Sequence, residues 1–212
     1  ATGGAPQQEQ PQPGGRLVRW ITADPTGADP TIQSVSSVSD RWIGHSYERL
    51  LGFKTGKDLG WAEMILQPEL AESWTVSPDA KTFTFKLKQG VKWHNLPPVN
   101  GREFTSADVK FSYEYVTRTG EFKDKGLRPS AFAWWFENME AVETPDKYTA
   151  VVKFKEPFVP FITYSAVQKN VMYAREVYDK AGDFMSLDTV IGTGPFIFDP
   201  AGSQRGTRWQ MK

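Results

Sequence analysis

From Lys81 to Asn95 the chain reads KTFTFKLKQGVKWHN, and its large apolar residues, Phe83, Phe85, Leu87, Val91 and Trp93, all fall on odd positions. Thr82, Thr84, Lys86 and Lys88 stand between the first of them. Successive side chains of a strand point to opposite faces, so this pattern predicts a strand with one buried face and one wet face. The preceding PELAESWTV ends at Ser77-Pro78-Asp79, a turn-forming triplet, which makes the pair an antiparallel hairpin. A second hairpin is predicted around Thr144-Pro145-Asp146, followed by Tyr148, Ala150, Val152 and Phe154 in alternation.

Helices are expected between and beside these strands. TSADVKFSYEYV opens with Thr105 and Asp108 in capping-box spacing, and Val109, Tyr113 and Val116 make an apolar stripe. Ile43, Tyr47, Leu50 and Leu51 also fall at helical spacing, with Ser39 or Asp40 as the cap and Gly52 as the end. Pro157 suits the first turn of a short helix carrying Phe158, Phe161 and Ile162. RLVRWIT, from Arg16, reads as a strand, and ADPTGADPT after it as turns. The end of the chain, from Gly192, reads as strand, loop and strand. Thr207, Trp209 and Met211 still alternate there at the last residues, so the chain is expected to stop short of its native end. Residues 1–15 contain no apolar side chain larger than proline and are expected to be a disordered linker, reaching roughly 20 Å as a coil.

Composition removes several function classes. Lys plus Arg and Asp plus Glu number 25 each, and no basic cluster stands out, which argues against nucleic acid. No apolar run approaches the ~18 residues of a membrane span. There is no cysteine, so disulfides, thiol catalysis and Cys-based zinc sites are excluded within the chain. The histidines, His45 and His94, have no second ligand at helical or hairpin spacing. His45 lies off the apolar stripe and reads as a solvated surface residue; His94 reads as a turn histidine bonding loop backbone. No P-loop, H-E-x-x-H or G-x-S-x-G occurs, and Gly192-Thr193-Gly194 is followed by proline rather than a helix. The reading is therefore of a non-enzyme with no catalytic residue, no metal site and no cofactor.

The series PELAESWTVSPDAKTFTFKLKQGVKWHN, FTSADVKFSYEYV and IGTGPF, with DPT at Asp29, YERLL at Tyr47 and KEPFVPFI at Lys155, resembles the extracellular solute-binding proteins of family 5. These are the substrate-binding components of oligopeptide, dipeptide and nickel ABC importers. The resemblance implies an α/β fold of the periplasmic binding protein-like class II. Residues 16–212 would be the N-terminal part of lobe I with a β-rich subdomain, and the second lobe would lie outside this chain. It also implies a periplasmic or cell-surface location. The membrane would be touched only through a lipid anchor upstream of Ala1, and the partners would be a peptide or other small solute and the permease subunits.

Site residues follow from the same resemblance. The loop after the Asp-Pro pair meets peptide backbone in relatives, which points to Ser34, Val35 and Ser36. An aromatic of FAWWFEN lines the cleft, which points to Trp134 and Trp135. Gln168, Lys169 and Asn170 resemble a cleft-side loop. Thr193 and Gly194 would be structural, near the interlobe crossing. A stand-alone carbohydrate-binding module is the alternative, motivated by eight tryptophans in a β-rich chain.

Overall fold

A computed structural model describes residues 15–21, 23–25, 27–32, 44–60, 62–127 and 130–212. Strands β1 (Leu51–Phe53) and β2 (Leu66–Pro68) pair antiparallel as a short ribbon. Strands β3 (Ala71–Val76), β4 (Thr82–Leu87), β5 (Met139–Asp146) and β6 (Thr149–Phe154) form a second sheet in the order β3-β4-β6-β5, antiparallel throughout. Three short helices, α1 (Ser106–Thr117), α2 (Phe161–Tyr164) and α3 (Arg175–Ala181), complete the regular structure used below.

Both hairpins form as their alternation predicts. Phe83, Phe85 and Leu87 of β4 are buried, as are Ala150, Val152 and Phe154 of β6, and Phe83 stands opposite Val152 in the register. Each phenylalanine buried this way contributes about 1.5–3 kcal/mol relative to exposure. Phe161 of α2 fills the centre of that face, its ring centroid 4.9 Å from Phe83 and 4.9 Å from Phe154. The second hairpin turns at Lys147 and Tyr148, two residues later than Thr144-Pro145-Asp146, because β5 runs on to Asp146. Pro145 is tolerated inside β5 because β5 is an edge strand and its register is already irregular between Glu143 and Asp146.

The capping box of α1 is present: the Asp108 carboxylate accepts from the Thr105 amide at 2.9 Å. Val109, Tyr113 and Val116 are buried, and so are Phe111 and Tyr115 on another side of the helix. Arg118 ends the helix in the left-handed conformation, φ 58°.

Four local expectations are corrected. Residues 16–21 form no strand; Leu17 is 82% exposed and Trp20 83% exposed. A segment rich in strand formers becomes a strand only with a neighbour to pair with, and no described residue pairs with this one. Tyr47, Leu50 and Leu51 are not helical: residues 44–46 make a turn and Leu51 opens β1. Leu50 and Leu51 are both fully buried although adjacent, so the chain is enclosed on both sides there, which period-based reading takes for a helical stripe. Ser39, Asp40 and Ile43 lie outside the described residues, as do residues 1–14 of the expected linker. The short helix after Pro157 starts later, at Phe161, with Pro160 as its cap. Finally, His45 is half-buried, its ring edge-on to Phe196 at 5.8 Å.

Near the end of the chain, Ile197 and Lys212 exchange backbone hydrogen bonds of 2.7 and 2.8 Å, and the Asp199 amide donates to the Gln210 carbonyl at 3.0 Å. The expected strand pair is thus a run of isolated bridges rather than two full strands.

Candidate functional site

The FAWWFEN segment becomes a one-turn 3-10 helix, Ala133–Phe136. Side chains three apart eclipse in that geometry, so Phe132 and Trp135 share a face, with centroids 4.7 Å apart. Phe136 is driven into the core, 5.7 Å from Tyr113 and 6.0 Å from Phe161. Trp135 stacks on Tyr164 of α2 at 4.8 Å with 20° between planes. Trp134, between these anchors, has no place in the core and stays 64% exposed, its ring edge-on to Trp135 at 5.9 Å.

The loop that follows α2 closes against this segment. Lys169 Nζ lies 5.3 Å from the centroid of Phe132, a cation–π contact. Gln168 is exposed. Asn170 points the other way: it is buried, and its amide donates to the Tyr113 hydroxyl and the Tyr164 carbonyl, both at 3.3 Å. The structure therefore brings Trp134, Trp135, Gln168 and Lys169 into one neighbourhood and puts Asn170 beneath it.

Ser34, Val35 and Ser36 lie outside the described residues. The chain just before them is firmly held. The Thr31 carbonyl accepts from the Ala131 amide at 3.0 Å and from the Ser130 hydroxyl at 3.2 Å, at the start of the aromatic segment. Asp29 is 0% exposed, and its carboxylate accepts from the Thr31 amide, 2.8 Å, and the Thr31 hydroxyl, 2.7 Å. It also accepts from the hydroxyls of Tyr115, 2.7 Å, and Tyr173, 2.8 Å. Burial, reinforced by the Asp29 charge, pushes both phenols well above the ordinary tyrosine value, so they stay protonated and act as donors. Four donors satisfy this buried carboxylate and fix the turn it sits in.

Two parts of this arrangement escaped sequence reasoning. Tyr164 supplies the stack under Trp135, yet it reads as one more aromatic at the end of an apolar helix. Tyr115 reaches Asp29 from off the predicted stripe; the i, i+4 pair Phe111 and Tyr115 is the signal of a second buried face on α1. His94 matches its expectation: it is buried in its turn and bonds loop backbone at Gly194. Gly194 sits against the backbone of residues 45–46, and the Thr193 side chain lies beside Glu48. Among the described residues there is no group of three or more His, Asp or Glu that could hold a metal, and no helix long and apolar enough to cross a membrane.

Comparison with known proteins converges on one family. The sequence pattern of the "Bacterial extracellular solute-binding proteins, family 5 Middle" matches residues 66–209. The dipeptide-binding protein of Escherichia coli (strain K12) is 33% identical over 192 residues, covering 85% of this chain and 34% of the relative. Di/tripeptide-binding protein 1 of Pseudomonas aeruginosa (strain UCBPP-PA14) is 32% identical, covering 86% of this chain and 34% of the relative. The solved structure of the PBP AgaA from A. tumefaciens R10 in complex with agropinic acid matches with a TM-score of 0.71 at 29% identity, over 90% of this chain and 34% of that one. The chain thus spans about a third of the length of the relatives it matches. The fold is that of the class II periplasmic binding proteins, and the comparisons lend no support to a stand-alone carbohydrate-binding module. This chain belongs to the bacterial extracellular solute-binding proteins, family 5.

Proposed function

We propose that this chain supplies one wall of the solute cleft in the substrate-binding component of an ABC importer, which captures a peptide or a related small solute and hands it to a membrane permease. In this reading residues 16–212 are the N-terminal part of lobe I, and the cleft closes against a second lobe. The observation that carries it is Trp134, an exposed indole held by a built aromatic tier of Phe132, Trp135 and Tyr164 beside the polar Gln168 and Lys169. Solute pockets combine apolar and aromatic walls with a few polar groups that fix orientation. A rigid indole provides contact area with little conformational entropy to lose. Ser34, Val35 and Ser36 belong to the same proposal, since the chain leading to them is tied through Thr31 to Ser130 and Ala131. Asn170 enters it as a support for Tyr164.

The relatives named above bind di- and tripeptides by name, and the solved neighbour holds agropinic acid. Peptide is the first cargo to test. The reading assigns no catalytic step to any residue. It includes an extracytoplasmic location and a lipid tether ahead of the Pro-, Gly- and Gln-rich head; cell fractionation that leaves the full-length protein in the cytosol would count against both.

The test is equilibrium binding of the full-length protein to a pool of di- and tripeptides, followed by tryptophan fluorescence, in the wild type and in Trp134→Ala. Saturable binding is expected, about tenfold weaker in the variant, the equivalent of about 1.4 kcal/mol. Absence of saturable binding rejects the peptide reading, and unchanged affinity in the variant removes Trp134 from the site.

A further inference from the structure

Both histidines of the chain lie against one segment, residues 192–196. His94 is 7% exposed. Its Nε2 is 2.8 Å from the Gly194 carbonyl oxygen, and its Nδ1 is 3.3 Å from the Gly192 amide nitrogen. Its own amide donates to the Gly192 carbonyl at 2.8 Å. A carbonyl only accepts and an amide N–H only donates, so these contacts require a proton on Nε2 and a lone pair on Nδ1. The neutral Nε2–H tautomer satisfies both. The imidazolium would turn a second N–H toward the Gly192 N–H.

The opposite side of this segment has no slack. A Cβ at Gly192 would lie 1.9 Å from the Ser46 carbonyl oxygen, and one at Gly194 2.7 Å from that of His45. The Gly194 amide donates to the Ser46 carbonyl at 2.9 Å, and the Phe196 amide to the His45 carbonyl at 3.2 Å. His94 therefore presses a two-glycine strap onto the turn at residues 44–46.

We propose that His94 is a proton-operated latch: the neutral imidazole holds Gly192 and Gly194 against the His45–Ser46 backbone, and its protonation releases that strap.

Among the described residues, few charged groups surround the latch. The Gly192-Thr193-Gly194 strap brings none. The turn and its continuation bring His45, which faces Arg19, and Glu48, which lies beside the Thr193 side chain of the strap; burial raises the Glu48 pKa, and its carboxyl also feels Glu69, Lys88 and Arg49. The loop of His94 brings Arg102, whose guanidinium lies over Trp93 and is engaged by Asp108 and Glu176. Lys212, at the end of the bridge that follows Phe196, is paired with Asp199 at 2.8 Å. Among the described residues no carboxylate counters burial at His94, so burial outweighs the Gly194 carbonyl and its pKa falls below the ordinary 6.5. The unfolded or released state then binds the proton more readily than the latched one. The latch is fully closed above pH 6.5 and is lost as the pH falls through the lowered value.

The test is an NMR titration of the full-length protein that follows the His94 Cε1–H, assigned with His94→Gln, alongside hydrogen exchange of the Gly192 and Gly194 amides corrected for the intrinsic pH effect. The expected result is that protection of both amides falls along the His94 titration curve, by up to about tenfold per pH unit. His94→Gln retains an N–H donor but cannot ionise, and its protection should not follow pH. Protection that ignores the titration of His94, or a glutamine variant with the wild-type pH profile, overturns the latch. Should the glutamine variant not fold, the wild-type correlation alone decides, since a merely structural histidine gives no matching curve.

Discussion

The Asp108 carboxylate accepts from the Thr105 amide at 2.9 Å and from two nitrogens of Arg102 at 2.6 and 2.9 Å, with the Trp93 indole N–H at 3.5 Å. Arg102 in turn holds Glu176 at the start of α3. The capping box visible in the sequence is thus one corner of a network that ties the His94 loop to α1 and α3. The cap and the ion pair differ in what their loss leaves behind. Thr105→Ala removes a cap and should cost about 1 kcal/mol. Arg102→Met leaves a buried carboxylate without its counter-charge and should cost about 3 kcal/mol. Urea denaturation midpoints of the full-length variants compare the two directly; equal shifts would show that Asp108 does not depend on Arg102.

At the level of elements, the parts most legible in the sequence are those whose stability is local and periodic. The alternation Phe83, Phe85, Leu87 and the alternation Ala150, Val152, Phe154 each dictate one buried face, and the two strands meet in the sheet. The stripe Val109, Tyr113, Val116 likewise reads directly as helix. What the sequence could not reveal depends on partners. Residues 16–21 are rich in strand formers but have no neighbour among the described residues, and Leu50 and Leu51 are enclosed on both sides, which erases the period. The site shows the same division. The aromatic richness of FAWWFEN is plain in the sequence, but which ring stays outside is decided by the 3-10 turn, by Phe136 entering the core and by Tyr164 arriving from α2. The sheet, α1 and the aromatic segment converge on Phe161, which meets Phe83, Phe85, Tyr113, Phe136 and Phe154. Phe161→Ala should therefore cost about 3–5 kcal/mol, and Phe158→Ala, half-buried at the rim, clearly less. Thermal unfolding of the two full-length variants is the check; similar losses would mean that the core is not centred on Phe161.

For the molecule as a whole, the proposed function makes the aromatic ledge one wall of a cleft that a second lobe closes. Trp134 is exposed within this chain, and the chain spans about a third of the relatives it matches. A solute pocket gains affinity by enclosing most of its ligand, so a single wall forfeits about half of that burial. If the complete protein binds with micromolar affinity, about −8 kcal/mol, losing about 4 kcal/mol of it leaves only millimolar affinity, about a thousandfold weaker. Calorimetric titration of the full-length protein and of residues 1–212, each against the same pool of di- and tripeptides, tests this directly. Saturable binding by the full-length protein with at least about a thousandfold loss in the shorter chain is the predicted result. Equally tight binding by residues 1–212 alone would contradict the two-walled cleft.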